Sequence, residues 1–367
     1  MSANETAAPA LKEIFNAERL QHIADETRAV YPAFNAKAFL KHASHGLADL
    51  SIMQRMARVS ESLHAVLPPD YADALHILHA LAPRLNSAFV TMSLPHYVAS
   101  YGAHDFDRSM DALKYFTTFG SSEFAIRYFL RADLQRTLEH MHDWTRDENH
   151  HVRRLASEGS RPRLPWSFRL EPVQADPSLA AGILDRLKAD DSLYVRKSVA
   201  NHLNDVTKEH PEWVLDTIEG WDLGNKHTAW IAKHALRSLI KQGDQRALTV
   251  IGAGGKPELE LIDVKVEPAE VRLGETITLS FTVRSTVPET QRLVIDYAID
   301  YVKGNGGTSR KVFKLKGMDL VGFGVEGMKR SQVIRDFTTR KHYGGRHEVT
   351  VMVNGVVMGG SGFSIVV

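Results

Sequence analysis

The chain contains no cysteine, which excludes disulfides, a thiol nucleophile, an iron–sulfur cluster and a cysteine-ligated zinc site. It also lacks any excess of charge: 45 Lys and Arg stand against 44 Asp and Glu. A polyanionic partner would therefore have to be met by local clustering. No apolar run approaches the roughly 18–20 residues that a membrane-spanning helix needs. The stretch from Met1 to Phe15 carries Glu5, Lys12 and Glu13 and no continuous apolar segment, unlike a secretory signal. These absences predict a cytoplasmic chain with no membrane partner. What is present is 367 residues, 43% hydrophobic and 24% charged, the composition of a folded protein of two or three domains.

The first 250 or so residues read as helix almost throughout. Leu11, Ile14 and Phe15 start an apolar face, and Leu63, Val66 and Leu67 close another helix that Pro68-Pro69 terminates. Asp70 caps the next, with Ala74, Leu75, Leu78, Leu81 and Ala82 along its face and Pro83 at its limit. A weak repeat follows: Val152-Arg153-Arg154, then Val195-Arg196-Lys197 roughly 43 residues on, then a copy around Trp230–Arg237. Such periods suit HEAT-like helix pairs, whose stacked copies would line one wall with cations. Gly252–Pro257 breaks the helical regime, after which Ile277, Leu279, Phe281 and Val283 alternate with polar residues. Val349, Val351 and Val353 run into Asn354-Gly355, a two-residue hairpin signal. The pattern predicts an all-α HEAT-like solenoid over 1–252, a linker at 253–257 and an immunoglobulin-like β-sandwich without a disulfide over 258–367. Deleting residues 258–367 is expected to leave a folded helical domain with weaker DNA binding.

Five basic residues, Arg153, Arg154, Arg161, Arg163 and Arg169, surround a single acid, Glu158. Gly159 and Pro162 should end the repeat helix, leaving Ser160–Trp166 as a stiff, cationic, Trp-tipped loop. Glu158 is placed for an i,i+4 pair with Arg154, Glu123 opens a helix after Gly120-Ser121-Ser122, and Asp205 ends the second repeat helix. Each alone reads as structural; their places at equivalent ends of successive repeats raise the case for a site. Residues 310–346 hold ten basic residues (Arg310, Lys311, Lys314, Lys316, Lys329, Arg330, Arg335, Arg340, Lys341 and Arg346) against Asp319, Glu326 and Asp336. That is an electrostatic footprint for phosphate. His140, His142, His150 and His151 do not have the spacing of a helical metal pair. Gly252–Lys256 is no P-loop, because Pro257 stands where Ser or Thr must be. No metal or cofactor is expected.

The run Val152–Trp166, with Leu11-Lys12-Glu13-Ile14-Phe15-Asn16 and Tyr31-Pro32-Ala33-Phe34, resembles the AlkC branch of the HEAT-like-repeat DNA alkylation-repair glycosylases, which are related to AlkD. The likeness covers roughly residues 11–250, and the β domain is similar to the immunoglobulin-like appendage of some AlkC proteins. The resemblance implies a monofunctional glycosylase that removes 3-methyladenine and 3-methylcytosine from alkylated double-stranded DNA, the base staying largely stacked. It also implies a site of carboxylates plus an aromatic: Glu123, Glu158, Trp166 and Asp205, with Glu148 and Asp191 as alternatives for the less distinctive carboxylate positions. Arg153, Arg154, Arg161, Arg163, Arg169, Lys197, Lys233 and Arg237 are the expected phosphate contacts. A monomer in the cytoplasm, at the nucleoid through its DNA binding, is the expected setting. The rival readings are a non-catalytic HEAT-repeat scaffold for DNA or protein and a phosphohydrolytic or RNA-directed enzyme built on the histidine patch.

Overall fold

The computed structural model describes residues 11–337 and 341–366; the first ten residues and Arg340 of the basic cluster lie outside it. The chain divides into two compact units, one ending at Val206 and one starting at Thr207. No helix among the described residues is long and apolar enough to cross a membrane.

The first unit is built from helices whose starts are set by short polar side chains. Asn16, Asn35, Asp70, Asp105, Asp133 and Asn149 each accept a backbone N–H from the first turn of the helix they precede. Helix Tyr71–Leu81 begins and ends where the sequence puts it, and buries Ala74, Leu75, Leu78 and Leu81. Helix His150–Gly159 packs on helix Leu193–Val206, the two arginine-bearing repeats. Val152, Leu155, Val195, Val199 and Leu203 are buried between them and their neighbours.

The second unit carries helices Pro211–Glu219, Lys226–Ala235, Arg237–Gln242 and Gln245–Val250, then, among the described residues, eight strands. These are β1 (Leu259–Glu267), β2 (Glu270–Val271), β3 (Thr276–Ser285), β4 (Gln291–Val302), β5 (Thr308–Leu320), β6 (Val325–Val333), β7 (Gly345–Val353) and β8 (Val356–Ile365). They form a three-stranded sheet, β1-β3-β6, and a five-stranded sheet, β2-β8-β7-β4-β5. Ile277, Leu279, Phe281 and Val283 of β3 face Ile295, Tyr297, Ile299, Val349 and Val351 in the sandwich core, as the alternation predicts. Asn354 and Gly355 both take positive φ and join β7 to β8 with Val353 paired to Val356.

The switch from helix to strand falls between Val250 and Leu259, yet the compact units divide some 50 residues earlier. The reason is packing. β4 is buried on both faces, and its Val294 forms a small apolar cluster with Leu248 and Ala253, flanked by Ile240 and Ile251. Gly243, which ends a helix at φ +80°, meets Gly355 of the hairpin so closely that a Cβ on Gly355 would lie 2.6 Å from the Gly243 Cα. The helices after Thr207 therefore share a core with the sandwich.

Candidate active site

The predicted loop is present: helix His150–Gly159 stops at Gly159, and residues 160–170 run without regular structure until the helix at Glu171. Beneath it lies an alternating chain of five charged groups. Arg154 Nη1 reaches Glu123 Oε2 at 2.5 Å and Arg154 Nη2 reaches Glu158 Oε1 at 3.4 Å. Arg161 Nη1 donates to the same Glu158 oxygen at 2.7 Å, and Arg161 Nε and Nη2 both reach Asp205 Oδ2 at 2.9 Å. The order is Glu123–Arg154–Glu158–Arg161–Asp205, with an acid at each end and in the middle. Both arginines reach Oε1 of Glu158. Glu123 Oε2 takes Arg154 and also accepts from the hydroxyl of Ser121 at 2.9 Å.

Burial fixes how these charges behave. Burial alone would depress the Arg154 guanidinium, but Glu158 and Glu123 outweigh it and hold its pKa above the ordinary arginine value. Arg161 is raised in the same way by Glu158 and Asp205. Both guanidiniums are permanent cations clamped by acids, and they hold the carboxylates in fixed directions.

An open cleft of about 380 Å³ lies over this chain, lined by Glu123, Glu158, Arg154 and Arg161, by Phe89 and Tyr194, and by the loop residues Leu164–Trp166. Trp166 is 63% exposed and sits edge-on to Phe89, ring centroids 6.4 Å apart. Its backbone has φ +65°, a left-handed conformation that a bulky side chain adopts only when its surroundings enforce it. Arg127 supplies that enforcement. Fully buried, it donates to the carbonyls of Gly159 (3.1 Å), Arg161 (2.6 Å) and Phe168, so one guanidinium ties both ends of the Trp loop. Burial, then the charge of Arg161, pulls its pKa down to about 10. Arg131 stacks on Phe168 at 3.4 Å and secures the same end.

The sequence-derived site residues are thus partly gathered and partly scattered. Glu123, Glu158 and Trp166 share the cleft. Asp205 is not among its lining residues and reaches it through Arg161. Glu123 does not open a helix: it sits in a turn ahead of helix Ile126–Ala132. The expected equivalence of repeat ends therefore holds for Glu158 and Asp205 and fails for Glu123. Of the alternatives, Glu148 and Asp191 lie in the loops before the two repeat helices, and each offers its backbone carbonyl to an arginine of that helix.

The expected cationic wall is also corrected. Arg153 makes a two-point pair with Asp190 at 2.6 and 3.0 Å and donates to the carbonyls of Asp147 and Glu148. Arg196 donates to the backbone carbonyls of Asp190 and Asp191, just ahead of its own helix. Arg153 is thus a bracket between repeats, and Arg154 and Arg161 are held by acids. Arg169 and Lys197 are exposed and Arg163 is half-buried. Lys233 and Arg237 belong to the second unit, on separate helices broken at Leu236. Among the described residues no three His, Asp or Glu side chains are grouped as metal ligands; His142 accepts from Arg186 at 2.8 Å instead.

Arg127 and Tyr194 were missed by the sequence reading. Tyr194 lines the cleft with its ring 4.7 Å from the Arg154 guanidinium, and burial raises its pKa. A charged residue inside the apolar run Ile126-Arg127-Tyr128-Phe129-Leu130 was the available signal for Arg127.

Comparison with known proteins agrees with this architecture. Residues 103–239 match the family described as DNA alkylation repair enzyme, and residues 260–367 match the C-terminal Ig-like domain of the uncharacterised protein YhaZ. The chain is 40% identical to that protein of Bacillus subtilis (strain 168), covering 97% of this chain and 99% of the relative. It is 68% identical to the Pseudomonas fluorescens alkylpurine DNA glycosylase AlkC, solved bound to DNA containing an abasic site analog; the match has a TM-score of 0.95 and covers 98% of this chain and 100% of that one. With its helical repeats, its C-terminal Ig-like domain and this extent of identity, the chain belongs to the AlkC family of DNA alkylation-repair glycosylases.

Proposed function

We propose that the protein hydrolyses the N-glycosidic bond of cationic alkylated bases, 3-methyladenine and 3-methylcytosine, in double-stranded DNA, as a monofunctional enzyme and a monomer. The observation that carries this reading is the alternating chain, three carboxylates on two guanidiniums, opening on a cleft with a Trp at its rim. A base methylated at N3 is already positive, so it needs no proton to leave. The electrons of its bond to C1′ pass to the ring and it departs neutral. The sugar becomes oxocarbenium-like, water adds to C1′, and the water's proton passes to a carboxylate. Glu158, which lines the cleft, suits the water; Glu123 and Asp205 add negative field; the Trp166 face contacts the deoxyribose and favours developing positive charge.

A charge pair at 4 Å is worth about 4 kcal/mol at an effective dielectric near 20. Since about 1.4 kcal/mol is tenfold in rate, each well-placed carboxylate contributes at most about a thousandfold. The cleft is open, which favours a base left in the stack over one flipped into an enclosing pocket. The Pseudomonas relative is an alkylpurine glycosylase bound to damaged DNA, in keeping with duplex DNA as the partner here. Arg163, Arg169 and Lys197 are the candidate phosphate contacts of this unit. No observation favours the scaffold reading over this one.

Single-turnover release of 3-methyladenine from duplex DNA tests the proposal. Glu158→Gln should lower the rate by about a hundred- to a thousandfold, in line with loss of one electrostatic stabiliser, with DNA affinity little changed. A rate close to wild type overturns the assignment, and rapid excision of uncharged uracil overturns the mechanism.

A further inference from the structure

A second concavity, of about 630 Å³, lies wholly within the second unit, between helices Lys226–Ala235 and Arg237–Gln242 and strands β4 and β5. Five cations line it: Lys233, Arg237 and Lys241 from the helical side, Arg292 from β4 and Lys314 from β5. Asp296 is the one carboxylate among its lining residues, and it sits opposite Lys314 across the β4–β5 ladder. The remaining wall is apolar, with Ala232, Ile240, Val250, Ile251 and Val294.

Such crowding of like charge opposes folding unless something answers it. Burial, then the charges of Lys314 and Arg292, holds the Lys233 ammonium below the ordinary lysine range. Arg292 has a partner in Asp319 at 2.9 Å and Arg237 donates to the His234 carbonyl at 2.5 Å, yet both still present charge to the cavity. Its size falls in the range of about 300–1,000 Å³ typical of small-molecule sites. Lys and Arg together suit a phosphate-class anion, the former as point charges and the latter through its planar fork. The apolar wall is what a bare ion would leave unused.

We propose that this cavity binds a small organophosphate, a phosphate-class dianion carried on an apolar body of about nucleotide size, at a site separate from the glycosylase cleft. Lys233 and Arg237, expected from the sequence to meet the DNA backbone, serve this ligand instead.

Titration calorimetry on the full-length protein at low salt, with AMP and with inorganic phosphate as probes, tests this. AMP should bind with a micromolar Kd, at least tenfold tighter than inorganic phosphate. Lys241→Ala and Lys314→Ala should each weaken AMP about tenfold, and Glu158→Gln should leave AMP binding unchanged. Without ligand, Lys241→Ala should keep or raise Tm, because it relieves repulsion, so the loss of AMP binding cannot be ascribed to misfolding. No AMP binding at millimolar concentration overturns the proposal. So does equal affinity for AMP and phosphate, and so does weakened duplex-DNA binding by the lysine variants in a protein that ignores AMP, which would make the cavity part of the DNA track.

Discussion

Two concave sites of this protein, the cleft and the cavity, are built from similar residue types with opposite balance. Beneath the cleft, Glu123, Glu158 and Asp205 alternate with Arg154 and Arg161, so every cation is flanked by acids and the surplus of the chain is negative. In the cavity, Asp296 is the one lining carboxylate beside five cations, of which Arg292 pairs with Asp319, and the surplus of the lining is positive. The first arrangement stabilises a positive charge that appears during reaction, because its negative groups are already oriented and need no reorganisation. The second attracts an anion that exists beforehand. Counting basic residues along the chain does not separate the two, since what matters is which carboxylate each cation meets.

The sharpest way to break the comparison is to remove a shared cation. Arg161→Ala leaves Glu158 and Asp205 buried without their common partner and should cost about 3–5 kcal/mol of stability in urea unfolding. A loss below about 1 kcal/mol would mean that the chain of charges is not a coupled network. Acid titration should next distinguish the units by sign. Burial pushes His202, whose Nδ1 meets the Ser157 carbonyl at 3.0 Å, down to about 4 from 6.5. The unfolded chain then binds more protons than the folded one across that interval. Stability should rise with pH through it and be lost on acidification, by about 3 kcal/mol in all, and His202→Gln should flatten the curve.

Asp296 behaves in reverse. Burial, opposed by Lys314 and Lys241, raises it to about 6 from 3.8, so the folded chain holds its proton longer. Stability should fall as pH rises from about 4 to about 6, and Asp296→Asn should gain up to about 3 kcal/mol at pH 8 and nothing at pH 3. A pH-independent effect of that substitution would show that the carboxyl is not held neutral by its surroundings. The smallest effect concerns Lys197, exposed on the repeat helix. Lys197→Ala should lower the salt slope of duplex binding by about 0.9 if it meets one phosphate, and an unchanged slope would remove it from the interface.

Local features were legible in the sequence because local chemistry decides them. The Asp70 cap, the alternation in β3 and the Asn354-Gly355 turn each depend on a few adjacent residues, whereas the helix expected to run up to Pro68-Pro69 already ends at His64. Glu158 and Trp166 were legible because they stand in one distinctive run. The partners of Arg153, Arg154 and Arg161 were not, because Asp190, Glu123 and Asp205 come from segments 31 to 44 residues away in sequence. Arg127 was hidden for a related reason: its three acceptors are backbone carbonyls, which carry no residue identity.

The close approach of Gly243 to Gly355 bears on how the polypeptide can be taken apart. Trimming after residue 252 would strip Leu248 and Ile251 of the sheet they lean on and bare the outer side of β4. Severing the chain at the Val206–Thr207 junction leaves both of those surfaces covered. The sandwich and the last helices are in this sense a single heritable module, and a homologue that dispensed with one would have to resurface the other.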